Sequence, residues 1–212
     1  MTGLTIAAIV VAAFIILIIV IVKALNNRGS KSRSSTDWSW IFEPPERRAG
    51  RRGEEKATSI IRAVLKEGDH LFTNVQVSYD EKEAELDNVI VNKYGVFIIE
   101  VKNYNGRLSG DEDDYEWVKY HTTDAGNTYT KMVKNPIRQV KRQVYILAKF
   151  LECSTPLRVW VEGYALLLNR NSPVESKYIL SSLEDIDHAI HTFQRNRLTQ
   201  KDIDEISQLM AS

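Results

Sequence analysis

The chain has 212 residues, with 28 Lys+Arg against 28 Asp+Glu and a hydrophobic content of 43%, so one ordinary domain is the ceiling once any targeting segment is set aside. These fractions exclude wholesale disorder and a polytopic membrane protein, and the single Cys153 excludes an internal disulfide or a thiolate zinc site. The balanced net charge conceals a polarity along the chain: residues 1–22 carry no charged side chain, whereas Lys23 to Arg52 hold eight basic and three acidic ones.

Leu4 to Val22 has Thr5 as its only polar residue, and as a helix it would be about 28 Å long, enough to cross a bilayer. Core helices are rarely apolar on every side. A cleaved signal peptide would want a basic segment before the run and a small-x-small site after it, and neither is present. The expectation is a retained, single-pass transmembrane anchor over residues 1–25. Lys23, Arg28, Lys31 and Arg33 follow the span and no charged side chain precedes it, which by the positive-inside rule places the C-terminal bulk on the cytoplasmic side of the cell membrane. Residues 26–46 read as a juxtamembrane linker, since Asn26 to Thr36 contains no apolar residue and gains too little from burial to offset ordering. Trp38, Trp40, Ile41 and Phe42 suit either the lipid interface or packing onto the next domain.

Residues 47–212 form the remaining domain, in which helix and strand patterns alternate without repeats, as in an α/β or α+β fold. Ala57, Ile60, Ile61, Val64 and Leu65 recur at helical spacing and predict an amphipathic helix from Glu54 to Glu67, ended by Gly68. Strands are expected at Leu71–Ser78, Ala84–Asn92 and Gly95–Asn103, the last two as an antiparallel hairpin turning at Asn92 to Gly95. Tyr115–Tyr120 and Thr128–Val133 suggest a second hairpin. Asn135 and Pro136 then supply the cap and first-turn proline of a helix to Glu152, with Ile137, Val140, Val144, Leu147, Ala148 and Leu151 as its buried stripe. A strand at Leu157–Leu168, a short one at Tyr178–Leu180, and helices from Leu183 and Gln200 complete the pattern, the last capped by Thr199 with Asp202.

Chemistry concentrates in the first hairpin. Alternation places Val96, Ile98, Glu100 and Lys102 on one strand face and Phe97, Ile99 and Val101 on the other. Asp87 lies among apolar residues of the preceding strand, where an unpaired carboxylate would be costly. A two- or four-residue loop makes cross-strand partners sum to 187 and sets Asp87 opposite Glu100. Facing carboxylates call for a proton or a cation, and oxygen ligation suits Mg²⁺ or Mn²⁺, with Lys102 beside them to hold a water or stabilise charge on a phosphate. From spacing alone, a metal site and a half-buried Asp next to an ordinary Glu–Lys pair stand as equal readings.

Asp87 followed by Glu100-Val101-Lys102 across a hairpin resembles the D…(D/E)xK core of the restriction-endonuclease-like superfamily. The blocks around it are Gly50, Gly53 and Glu54; Glu85, Leu86 and Asp87; Gly95 through Asn103 with Tyr104 and Gly106; and Asn135, Pro136 and Gln139. In this order, over about residues 50–151, they resemble the nuclease-related domain (NERD) family within that superfamily. The resemblance implies a mixed sheet flanked by helices and a metal-dependent nuclease acting on DNA or RNA. Asp87, Glu100 and the Val101 backbone carbonyl would be its ligands, Lys102 would serve the hydrolytic water, and Glu54 and Gln139 would assist. Leu86 stands where the superfamily pattern has proline, and Asn88 where relatives often carry histidine.

Ala125 to Leu151 holds Lys131, Lys134, Arg138, Lys141, Arg142 and Lys149 and no acidic residue, a surface suited to nucleic-acid phosphates, with anionic lipid as the rival partner. Lys134, Arg138, Lys141 and Arg142 are the expected nucleic-acid contacts. The acidic run Asp111 to Glu116 reads as a solvated loop, His188 and His191 as surface residues, and Cys153 as structural. The alternative to a nuclease is a catalytically inactive tethered module that binds nucleic acid or protein.

Overall fold

The computed structural model describes residues 45–123, 126–192 and 197–211, so the expected span at residues 4–22 lies outside it. Among the described residues no helix is long and apolar enough to cross a membrane. Contacts divide the chain between Phe42 and Glu43, and every described residue belongs to the second unit.

Helix α1 spans Pro45–Arg62 and therefore starts and stops earlier than the apolar spacing suggests. Proline is preorganised for a first helical position. At the other end Val64 N–H bonds to the Ile61 carbonyl at 3.1 Å, while Val64 and Leu65 still pack against the core from the following turn. Apolar periodicity thus outlasts the helix by one turn. Strands β1 (His70–Tyr79), β2 (Lys82–Asn92) and β3 (Gly95–Lys102) form an antiparallel meander. After an insertion come α2 (Pro136–Ser154) and β7 (Val161–Leu167), which lies parallel to β3. The two-residue β8 (Ile179–Leu180) completes a mixed sheet of order β1-β2-β3-β7-β8. Helices α3 (Leu183–His191) and α4 (Gln200–Met210) end the described chain, and the Thr199–Asp202 capping box of α4 is formed as expected.

The sheet is sandwiched, as a mixed sheet flanked by helices should be. Val96 and Ile98 of β3 pack with Ile146, Leu147 and Leu151 of α2 and Ile203 and Ile206 of α4. Phe97, Ile99 and Val101 face Ala57 and Ile61 of α1 and Ile186 and Ile190 of α3. Gly163 on β7 lets α2 lie close, because an added Cβ would stand 2.6 Å from methyls of both Val140 and Val144. The long strand expected from Leu157 begins only at Val161, since Leu157 and Val159 pack on the core without joining the ladder.

Between β3 and α2 stands a three-stranded sheet: β4 (Leu108–Ser109), β5 (Glu116–Thr122) and β6 (Thr128–Lys134). Buried Asn135 ties it down. Its Oδ1 accepts the Ile137 N–H at 2.9 Å, and its Nδ2 donates to the carbonyls of Asp111, Glu112 and Asp114 at 3.3, 2.8 and 2.8 Å.

Two side readings need correction. His191 is not a surface residue: its side chain is only 8% exposed, with Nε2 2.8 Å from Asp69 and Nδ1 2.6 Å from Asp187. Cys153 is exposed and fills no place in the core.

Candidate active site

Lys93 and Tyr94 form the two-residue loop joining β2 to β3, and cross-strand partners sum to 187, from Asn92↔Gly95 to Asn88↔Ile99. Gly95 is obligatory there, because its φ is +146° and a Cβ would meet the Trp160 carbonyl at 2.8 Å. Alternation holds through β3, so Glu100 points toward α2.

Asp87 departs from the expected arrangement. The β2–β3 ladder ends one step before it, and the Asp87 carboxylate accepts the Val101 N–H at 2.8 Å instead of facing Glu100 as a ladder partner. The cause lies in β1. Its pairing with β2 passes over Asn74 and Asp87, and Asn74 adopts φ +55°, a conformation that asparagine tolerates better than most residues. Leu86 and Val89 consequently pack into the same core cluster, so the alternation of β2 slips by one residue across Asp87 and Asn88. This slip turns the carboxylate toward the end of β3.

Glu100 is 2% exposed and held from three sides. Its Oε1 accepts from Lys102 Nζ at 2.6 Å and from Gln139 Nε2 at 2.5 Å, while Oε2 accepts from Gln143 Nε2 at 2.6 Å. Asp87 and Glu100 are thus not ladder partners: Lys102, Gln139 and Gln143 donate to Glu100, and the Val101 amide donates to Asp87. Burial works against the Lys102 ammonium, but Glu100, then Tyr104 and Asp87, outweigh it and hold its pKa above the ordinary lysine value. Lys102 is thus a fixed positive charge at neutral pH. Burial also pushes the neighbouring Tyr104 phenol up, and its hydroxyl donates to the Lys134 carbonyl at 3.2 Å.

Gln143, absent from the expected site, joins it from one helical turn beyond Gln139. Its Nε2 donates also to the Glu85 carbonyl at 3.0 Å, leaving its buried Oε1 without a hydrogen-bond partner. The available signal was a polar residue at i+4 from Gln139. The backbone of Gly53, the residue before Glu54, approaches the residue that follows β3, since a Cβ on it would lie 3.1 Å from that of Asn103; the Glu54 side chain lies outside the described residues. Asn88 is structural, accepting from Thr58 Oγ1 at 3.1 Å and donating to the Ile99 carbonyl at 3.3 Å.

The basic residues of α2 are exposed but engaged. Lys141 pairs with Glu112 at 3.1 Å, Arg138 donates to the Asp113 carbonyl at 3.2 Å and stacks on Tyr115, and Arg142 donates to the Glu83 carbonyl at 3.0 Å. The acidic loop therefore covers part of the surface that sequence reading assigned to a polyanion. Lys134, at the end of β6, is exposed.

The family model of the nuclease-related domain matches residues 49–168, enclosing the hairpin, Glu100, Lys102 and the two glutamines. The chain belongs to the NERD family. The chain is also similar to an uncharacterized protein of Bacillus anthracis, 22% identical over 175 residues that cover 74% of this chain and 80% of that protein. No solved structure matches the chain. The NERD family is nuclease-related and of the general PD-(D/E)xK kind.

Proposed function

We propose that the chain is a metal-dependent nuclease that hydrolyses phosphodiesters of DNA or RNA. In this reading residues 4–22 anchor it in the cell membrane and the domain faces the cytoplasm. The observation that carries the proposal is the junction of Asp87, Glu100 and Lys102, whose ammonium donates to Glu100 at 2.6 Å, at the end of one strand pair in a nuclease-related domain.

The donor chemistry fits a hard divalent cation. Asp87, Glu100 and the Val101 carbonyl would hold it, all through oxygen. That carbonyl shares the β2-facing side of the strand with the Val101 amide bonded to Asp87. The unpartnered Gln143 Oε1 is a further oxygen in need of a positive neighbour. Among the described residues no group of three or more His, Cys, Asp or Glu gathers to bind a metal; the proposed set consists of two carboxylates and one backbone carbonyl. A bound Mg²⁺ or Mn²⁺ supplies Lewis-acid activation of water and neutralises charge on the phosphate. Lys102 orients the attacking water and stabilises the negative charge that develops as the new P–O bond forms and the leaving P–O bond breaks. Gln139 and Gln143 fix Glu100 so that its oxygens do not wander.

The test incubates the full-length chain in detergent with Mg²⁺ and single- or double-stranded DNA and RNA, beside Asp87→Ala and Lys102→Ala proteins. Cleavage by the parent alone is expected; cleavage that survives both changes removes the assignment. The full engagement of Glu100 by protein donors favours one second reading, a binding module without turnover. That module would bind nucleic acid with Mg²⁺ present and release no product.

A further inference from the structure

The three-stranded insertion is rooted at both ends in the site: β4 follows Lys102 and Tyr104, and β6 runs through Asn135 into the helix that carries Gln139 and Gln143. One face of it docks on the body through buried Trp117 and Leu108 and partly buried Val133. Beyond the docked end, β5 and β6 continue in strict register on that same face. Lys119 stands opposite Lys131, and His121 opposite Tyr129. Tyr129 is 58% exposed. A lysine pair followed outward by an aromatic pair combines a phosphate contact with a stacking platform, a combination suited to unpaired nucleotides.

We infer that the β5–β6 ribbon is the substrate-gripping arm of this domain and binds single-stranded nucleic acid, with Lys119 and Lys131 on the phosphates and Tyr129 under a base. This rests on the nuclease reading and adds to it the strandedness of the substrate and its docking surface. The ribbon takes the role that the α2 cations, turned in part toward the acidic loop, fill less fully. Duplex DNA, whose bases are already stacked, offers Tyr129 nothing to receive. A lipid surface would use the lysines without needing the ribbon's attachment to the site.

The experiment measures fluorescence anisotropy of labelled single-stranded DNA, single-stranded RNA and duplex DNA with the full-length chain in detergent and EDTA, so that nothing is cut. Expected is tighter binding of either single strand than of the duplex. Lys119→Glu with Lys131→Glu lowers affinity by at least tenfold and flattens the dependence of log K on log salt by about 1.4, the equivalent of two phosphates on a single strand. Tyr129→Ala weakens binding on the order of tenfold at unchanged salt slope. Lys119→Gln with Lys131→Gln, tested by thermal melting, separates charge loss from misfolding. Wild-type affinity and slope in folded lysine variants overturn the inference, as does preference for duplex or equal displacement by phosphatidylserine vesicles. The nuclease reading is judged separately, by Mg²⁺-dependent cleavage by the parent chain and its loss in Asp87→Ala.

Discussion

Replacing Gln143 by leucine removes the two hydrogen bonds that one buried amide makes, to Glu100 at 2.6 Å and to the Glu85 carbonyl at 3.0 Å. Both Gln143 and Glu100 are 2% exposed, so neither oxygen recovers a partner from solvent. A bond to a buried carboxylate contributes about 1.5–3 kcal/mol and one to a neutral carbonyl about 1 kcal/mol. Removing the unpartnered Oε1 returns about 1 kcal/mol. The net loss is about 2 kcal/mol, or a fall of about 4–8 °C in Tm for a domain of this size. The assay is thermal unfolding of the full-length chain followed by tryptophan fluorescence, in EDTA, for wild type, Gln143→Leu, Glu100→Gln and the double variant. A coupling of about 1.5 kcal/mol or more between the two positions is expected; coupling below about 0.5 kcal/mol refutes the claim that Gln143 holds Glu100.

Three further outcomes follow from the same geometry. Asn135→Ala loses the α2 cap and leaves three carbonyls of the acidic loop without their donor; a destabilisation of about 3 kcal/mol in urea unfolding is expected. Gly163→Ala forces a Cβ against Val140 and Val144, costing about 1–3 kcal/mol, and because the same helix bears Gln139 and Gln143, kcat falls with stability. Lys66 first, then His191, hold the Asp187 pKa below its ordinary value. Its contribution to stability is thus present above the unfolded carboxylate pKa and is lost as pH falls through the lower folded value. As pH falls below about 4 the Tm of wild type drops more steeply than that of Asp187→Asn, and parallel curves would contradict the pairing.

Local rules made the hairpin legible. Its two-residue turn, the register summing to 187 and the face shared by Glu100 and Lys102 all follow from strand alternation and loop length. The Asn135 cap and the Thr199–Asp202 box are likewise local chemistry. What escaped depends on partners distant in sequence or on a break in a periodic rule. The turn of Asp87 comes from a slip at Asn74, which an average over alternating residues hides. Gln143 reads as a polar interruption of an apolar helix face until Glu100 and Glu85 stand beneath it. His191 is buried by Asp69, whose partnership across 122 positions no helical spacing could indicate. The cover that the acidic loop gives to Lys141 and Arg138 is another long-range pairing.

The claim at the centre of the account is that Asp87, Glu100 and the Val101 carbonyl form one oxygen site for a divalent cation. Electron paramagnetic resonance of free Mn²⁺ during titration of the full-length chain measures that site directly. Saturable binding is expected in wild type, with a weakening of at least tenfold in Asp87→Ala and in Glu100→Gln and competition by Mg²⁺. Binding that is absent in wild type, or equally strong in both variants, contradicts the account.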